Sequence, residues 1–546
     1  MKQLFILTFC ILSCFCYSQT WTWAKGSHGT GSGDEGYAVA VDGAGNVFAT
    51  GAFSSSTISF GTYTLTNSGS EDIFLVKYDS NGNVLWAKSA GGTSHDDSYS
   101  VCTDTLGNSF ITGNFLSPSI VFGTYTLTNT GGSEAFVAKY DPNGNILWVN
   151  HSQGNGGDQG RGVGADINGN VLVTGSFSSN NMTFGTATLS NSNTFSSMFV
   201  IKFDPNGNAI WAKNPTIGTS FGNSISVDKN GNAFVTGNTL AGDSLLFGPS
   251  IITFAAGTQY TFLVKYNSFG NATWAKNSVG ASCTGNSVCT DLSGNSLITG
   301  YFANAPVSFG MQTLNNTGSN NPFIAKYDSV GNVLWAKTNT GVGGNNQAYS
   351  ISVDTHGNSF ITGGFISTIT FGTYTLSQPN PAPDPMFLVN YDQSGNVIYA
   401  TSLSSGGDDL CGVFTDKKCN TYIAGDFQTI NFIVGPNTLT LSTTGGEDIF
   451  VAKLAYNCQL EDIAKIENMS SAIYPNPNNG SFNLKFENQI ENGQIIIFNS
   501  VGQKIHTQKI LQGVNNIRID RISAGLYNYY ILQNGRYVGV GKVVVQ

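Results

Sequence analysis

Charge is scarce in this sequence: only 10% of its 546 residues are Asp, Glu, Lys or Arg, and the formal balance is −9. That argues against a nucleic-acid partner, because phosphate-backbone binders concentrate Lys and Arg. Histidine is rarer still, with five copies (His28, His95, His151, His356 and His506) at unrelated points of the chain, as expected of scattered exposed side chains. No His-Glu-x-x-His, Gly-x-Ser-x-Gly or phosphate-cradling Gly loop occurs, so no catalytic motif can be read directly. Helical periodicity is missing. Beyond the N-terminal stretch no apolar run approaches the roughly 18 residues of a membrane span.

What is abundant is Gly (67), Phe (36) and Tyr (22), with Ser, Thr and Asn crowded between short apolar runs. This is the composition of an extracellular all-β protein with many turns. The chain opens MKQLFILTFCILSCFCYSQT, in which Lys2 precedes an apolar stretch from Leu4 to Phe15 and small residues surround Ser18. Residues 1–18 therefore read as a signal peptide, with Gln19 as the mature start. Six cysteines remain, Cys102, Cys283, Cys289, Cys411, Cys419 and Cys458, in spacings that match no zinc pattern.

A repeat governs residues 19–458. The Trp of a Trp-Ala-Lys-like phrase falls at Trp23, Trp86, Trp148, Trp211, Trp274 and Trp335, with Tyr399 in the seventh place, at intervals of 61–64 residues. A Phe-Gly marker (Phe60, Phe122, Phe184, Phe247, Phe309, Phe371, with Val434 last) and a Thr-Gly step keep the same phase. Each unit carries four runs of two-residue alternation, in the second copy Val84–Lys88, Tyr99–Thr103, Ser109–Phe115 and Ala135–Tyr140, with room for an extra hairpin. Four strands in each of seven units predict a seven-bladed β-propeller; a β-solenoid is the rival, although its repeats are usually shorter.

Asp-x-x-Gly-Asn runs punctuate the units. Seven copies start at Asp42, Asp104, Asp166, Asp228, Asp291, Asp354 and Asp416, with Cys419 in place of Gly in the last. Six more start at Asp79, Asp141, Asp204, Asn267, Asp328 and Asp392. An EF-hand calcium loop wants Gly at its sixth position and Glu at its twelfth. Counting from Asp79 those places hold Val84 and Ala90, so these runs are read as hairpin turns. The count of six leaves half a motif at each end. The N-terminal strand and the strand from Asp448 are expected to complete one mixed blade and close the ring. A Cys419–Cys458 disulfide is expected beside that closure.

The phrases around residues 76–88 (VKYDSNGNVLWAK) and 352–363 (SVDTHGNSFITG) resemble the bacterial SBBP β-propeller repeat family, over roughly residues 21–456. That resemblance implies an exported propeller and no agreed enzymatic activity. A polar linker, 459–470, follows. Residues 471–546 then carry Tyr474-Pro475-Asn476-Pro477-Asn478-Asn479-Gly480, Val501-Gly502-Gln503 and Ser523-Ala524-Gly525-Leu526-Tyr527. This combination resembles the C-terminal sorting domain of the type IX secretion system. It implies a small Ig-like β-sandwich whose partner is the type IX machinery, and final placement outside the cell or on its surface.

Whatever repeats is explained by the shared core, so function is sought where the units differ. Acids collect in the connections opposite the Asp-x-x-Gly-Asn turns: Asp34, Glu35, Glu71, Asp72, Asp96, Asp97, Glu134, Asp158, Asp408, Asp409, Glu447 and Asp448. They fall on units seven, one, two and three, which become contiguous when the ring closes. The expectation is an acidic sector on one face that takes Ca²⁺ or a cationic or sugar ligand; a solvated acidic rim is the plainer alternative. No other cofactor is indicated. Three functions remain open: a module that binds a glycan or protein, a polysaccharide hydrolase or lyase, and a structural surface component. The hydrolase reading requires two carboxylates, or a His with a carboxylate, to meet at the channel mouth.

Overall fold

A computed structural model describes residues 19–456 and 471–546, apart from positions 32, 193–194, 241–243, 255–258, 341–342, 378–384, 404–410, 443–445, 487–491, 500–503, 520–521 and 534–535. The expected signal peptide, the linker, Asp408, Asp409, Cys458 and Gly502 lie outside the described residues. The chain divides into two compact units, 1–456 and 457–546.

Six times over, four strands pair antiparallel in chain order, and a seventh four-stranded sheet takes its strands from both ends of the propeller sequence. Blade one runs Asp34–Val41, Val47–Phe53, Asp72–Tyr78 and Val84–Ala90. The innermost strands of successive blades touch each other around a closed circuit, so the sheets form a ring. Blade seven is mixed: Gln19–Gly26 pairs with Asp448–Tyr456, which pairs with Thr421–Phe427 and then Gly412–Thr415. The two ends of the propeller sequence thus share one sheet, and two open edges disappear. Extra hairpins such as Ser119–Phe122 with Tyr125–Thr128 hang between the second and third strands. The two middle strands of each blade are buried along their length because neighbouring blades cover both faces, and Phe48, Phe53, Phe110 and Phe115 are fully enclosed there.

Every Asp-x-x-Gly-Asn run forms a turn. In the one at Asp79, Oδ1 accepts from the Asn81 and Asn83 amides, both at 2.8 Å, and Oδ2 accepts from Asn83 Nδ2 at 2.8 Å. Gly82 closes the turn at φ +82°. The outer turns also join the blades. The indole N–H of Trp23, Trp86, Trp148, Trp211, Trp274 and Trp335 donates to a carbonyl in the next blade's outer turn at 2.9–3.2 Å. The junction of blades six and seven lacks this contact. Tyr399 stands there instead of Trp, and blade seven, split between the chain ends, has no turn between its outer two strands. Cys419 serves this junction, with Sγ 3.4 Å from His356 Nδ1 and 3.7 Å from Thr355 Oγ1. It holds φ +63° where the other copies have Gly. Cys419 is disulfide-bonded; its expected partner is outside the described residues.

The C-terminal unit has two antiparallel sheets. Ser471–Tyr474, Ser481–Phe486 and Gly513–Arg518 form one; Lys504–Ile510, Gly493–Phe498, Gly525–Gln533 and Arg536–Val545 form the other. Leu484, Ile495, Ile497, Ile517, Ile531 and Val543 fill one core supplied by both.

Candidate functional site

The acids expected to form one sector divide by their place in the sheet. Asp34, Asp96 and Asp158 open the innermost strands of blades one to three and are fully buried. Asp96 accepts from the Ser117 hydroxyl at 2.7 Å and from the amides of Ser117, Leu116 and Gly92. Asp34 and Asp158 hold Ser55 and Ser179 in the same way. Asp72, Glu134 and Asp448 open the third strands and are also buried. Asp448 binds the Gly29 and Ser442 amides, Asp72 that of Ser68 and Glu134 that of Thr130. These six carboxylates pin loops to strands. Glu447 stands apart, hydrogen-bonded by Gln428.

Three acids are left, and they converge. Glu35 accepts from the Tyr37 hydroxyl, and Asp97 from the Tyr99 hydroxyl at 3.0 Å. Glu71 pairs with His95 Nδ1 at 3.0 Å. Burial, and then the nearby Asp97 and Glu35 charges working against the His95 contact, raise the Glu71 carboxyl. Burial also raises Asp97, although the Tyr99 hydrogen bond and the Arg161 guanidinium oppose it. The Tyr37 and Tyr99 rings pack tilted by 35° with centroids 5.4 Å apart, and the Arg161 guanidinium lies 4.1 Å over the Tyr99 ring.

The tyrosines and the arginine were not legible as site residues, yet a single device places them. Each innermost strand of blades one to six carries a β-bulge, and the residue skipped in the pairing is Tyr37, Tyr99, Arg161, Asn223, Asn286 or Tyr349. A bulge frees one residue from the ladder and re-aims its side chain. All six line one cavity of about 940 Å³ at the propeller axis. Gln159 and Gln347, two places earlier than the bulge, line it as well, as do Asn238 and Tyr301 on the second strands. Deeper in, the free edge of the inner strands is capped: the Val163, Val288, Ile351 and Val413 amides donate to Ser Oγ of the preceding blade at 3.1–3.3 Å. The available signal was the variability itself: five residues before each middle-turn Asp, the chain reads Tyr, Tyr, Arg, Asn, Asn, Tyr, Cys.

Of the histidines, His151 corrects the expectation of exposure. It is mostly buried, 3.4 Å from Glu134 and packed on Phe115. Asp354, His356 and Cys419 bring possible metal-ligating atoms within 4.8 Å of one another. A disulfide sulfur is no thiolate, however, and both Asp354 oxygens already serve their turn. Cys102 and Cys289 are free thiols against the cavity, and burial raises both well above the ordinary thiol value.

In the second unit the Tyr474-Pro475-Asn476-Pro477 stretch and Gly480 clamp the last strand. Asn476 accepts from the Val544 amide at 2.8 Å and donates to Lys542 O at 3.1 Å. Asn478 donates to Val544 O and accepts from the Gly480 amide. Gly525 begins the strand paired with Val545, and the Tyr527 hydroxyl donates to Ser523 O at 2.7 Å.

Two family models match the chain. The secretion system C-terminal sorting domain matches residues 472–546, and the SBBP β-propeller repeat matches residues 216–243. An uncharacterised WD repeat-containing protein of Acanthamoeba polyphaga mimivirus is 29% identical over 408 residues, which covers 60% of this chain and 29% of that protein. Regulatory protein FlaEY of Caulobacter vibrioides is 25% identical over 193 residues, covering 34% of this chain and 20% of that one. The chain thus spans less than a third of the length of these curated relatives. PorZ, a surface component of the type IX secretion system of Porphyromonas gingivalis, aligns over 94% of this chain and 81% of its own, at 11% identity and a TM-score of 0.23, too low to carry an argument. No helix among the described residues is long and apolar enough to cross a membrane. The chain therefore carries an SBBP-type β-propeller repeat and a C-terminal type IX sorting domain, which directs it to the cell surface or the extracellular space.

Proposed function

We propose that the mature protein is a binding module whose ligand enters the axial cavity at the ring of bulged residues. One observation carries this reading: six bulges at equivalent positions turn six side chains of differing chemistry into one cavity while the strands around them repeat. Folding alone needs no such variety at these places, and a concave site with a few convergent polar groups is what a small ligand or a chain end requires. An array of glycans and matrix proteins probed with the mature chain tests it. At least one ligand is expected, bound at least tenfold more weakly after Arg161→Ala or Tyr349→Ala. Binding untouched by both variants would rule the cavity out.

A hydrolytic role is the second reading, favoured by the His95–Glu71 pair beside Asp97 and Glu35. A carboxyl raised by burial can hold the proton that a leaving glycosidic oxygen needs. Incubating any array ligand with the protein and assaying new reducing ends separates the two; Asp97→Asn should abolish turnover if it occurs.

A further inference from the structure

Resting on the axial cavity as the binding site, we propose that its ligand is an acidic glycan, held by a sugar carboxylate on Arg161.

The charge of the lining comes first. Among the described residues around the cavity, Arg161 alone is charged. Its equivalents in the other blades are neutral, so the site offers one cation for one anion. Arg161 Nε and Nη2 donate to Gln159 Oε1 at 3.2 and 2.7 Å, which fills the side edge of the guanidinium. The end edge, Nη1 with the second Nη2 proton, has no acceptor among the described residues. No carboxylate among them forms an ion pair with it. Glu35 and Asp97 lie outside the lining and take the Tyr37 and Tyr99 hydroxyls. Two parallel N–H groups on one edge are the fork that a carboxylate accepts in bidentate fashion. Gln159 and the Tyr99 ring hold that fork in place before a ligand arrives.

The neutral part of the lining says what carries the carboxylate. Ser100, Ser224, Ser287 and Ser350 accept the inner-strand amides of the following blade. Each hydroxyl proton is left without an acceptor among the described residues and can be given to a ligand. Asn286 and Gln347 spend one N–H each on Ala348 O and Asn345 Oδ1, which leaves the other N–H and the oxygen. Asn223 spends both N–H groups and keeps its oxygen. Donors and acceptors are therefore both open, and a ligand hydroxyl, which donates and accepts, uses both. The rings of Tyr37, Tyr99, Tyr301 and Tyr349 line the same cavity, and an aromatic face is negative enough to attract the C–H groups of a sugar ring.

A peptide C-terminus is the rival source of a carboxylate. Such ends are captured by a nest of backbone N–H groups. Here the inner-strand amides of Val163, Val288, Ile351 and Val413 are already capped by the serines.

An array of uronate- and sialate-bearing oligosaccharides, each beside its methyl ester and followed by titration calorimetry with the full mature chain, tests this. The ester keeps the other hydroxyls and loses the charge, so this comparison needs no variant. At least one acid form is expected to bind, with its ester about tenfold weaker, the worth of one charged hydrogen bond. Arg161→Gln should weaken the acid form by a similar factor and leave the ester unchanged. Asp97→Asn, which lifts a negative charge from beside the guanidinium, should tighten the acid form. Equal affinity for acid and ester overturns the proposal. So does binding confined to a neutral glycan, a matrix protein or a Gly-Glu-Gly-Glu-Gly peptide, although its loss on Tyr349→Ala keeps the cavity as the binding site. Acid binding untouched by Arg161→Gln and Tyr349→Ala, or no binding by any glycan, peptide or matrix protein, overturns both readings.

Discussion

Trp86 and Gly144 belong to different blades and are fitted to each other. The Trp86 indole donates to Pro142 O at 3.1 Å, and a Cβ on Gly144 would stand 2.9 Å from the ring. Five more Trp–Gly pairs repeat this contact around the propeller. The outer Asp-x-x-Gly-Asn turn therefore does two jobs: its glycine supplies a positive φ for the hairpin, and it leaves room for the neighbour's indole.

Gly144→Ala should accordingly cost more than the backbone penalty. At Gly248, φ is +56° and nothing lies within 4 Å of an added Cβ, so Gly248→Ala measures the backbone term alone, about 1 kcal/mol. Gly144→Ala adds the clash with Trp86, a further 1–3 kcal/mol or so. Urea unfolding of the two variants gives the difference; equal midpoints would mean that the indole contact is not tight.

Adjacent acids should behave as opposites. Asp96→Ala strips four hydrogen bonds from a fully buried carboxylate and should destabilise the propeller by roughly 2 kcal/mol or more, with ligand chemistry untouched. Asp97→Asn should leave thermal unfolding within about 0.5 kcal/mol of the parent and act on binding. Calorimetry on both variants checks the split.

Two groups of carboxyls should give the propeller opposite pH slopes. Burial, partly offset by the serine hydrogen bonds, pushes Asp96 and Asp158 up to about 6 from an ordinary value of 3.8. Their folded forms hold the proton longer than their unfolded forms do, so their contribution is complete below 3.8 and is lost as pH rises through about 6. Asp204 is the reverse. The Asn208 side chain and the turn amides hold it below 3.8, so its contribution is present above that value and is lost as pH falls through the lowered one. Denaturant midpoints measured from pH 3 to 7 should decline from about 4 to 6, and Asp96→Asn with Asp158→Asn should flatten that decline.

The sorting domain offers a separate test. Asn478→Ala removes the side-chain bonds to Val544 O and Gly480 N while the Asn478 backbone can still pair with Val544 and Gln546. A cost of about 1–2 kcal/mol is expected. Hydrogen exchange should show faster opening confined to the strand Arg536–Val545 and its partners.

Much of this architecture was legible beforehand because a repeat amplifies weak local signals. Any one Asp-x-x-Gly-Asn run is an ambiguous turn; thirteen in phase, with half a motif at each end, specify the hairpins and the mixed closing blade. The sorting domain was equally legible from Tyr474 to Gly480 and from Ser523 to Tyr527, since turn chemistry is local. The acids were legible as a cluster and no further. Asp96 and Asp97 are neighbours of the same type, and nothing in their order says that one is buried under Ser117 while the other meets Tyr99.

By itself the sequence determined the strands, the turns, their number and the export address, because these depend on residues close together along the chain. The tertiary structure alone decided which side chains reach the axis. A bulge belongs to two strands at once, and at Tyr37, Tyr99 and Arg161 it shifts the in–out alternation by one place. Where a side chain points therefore depends on the register of a partner strand that its own sequence does not contain.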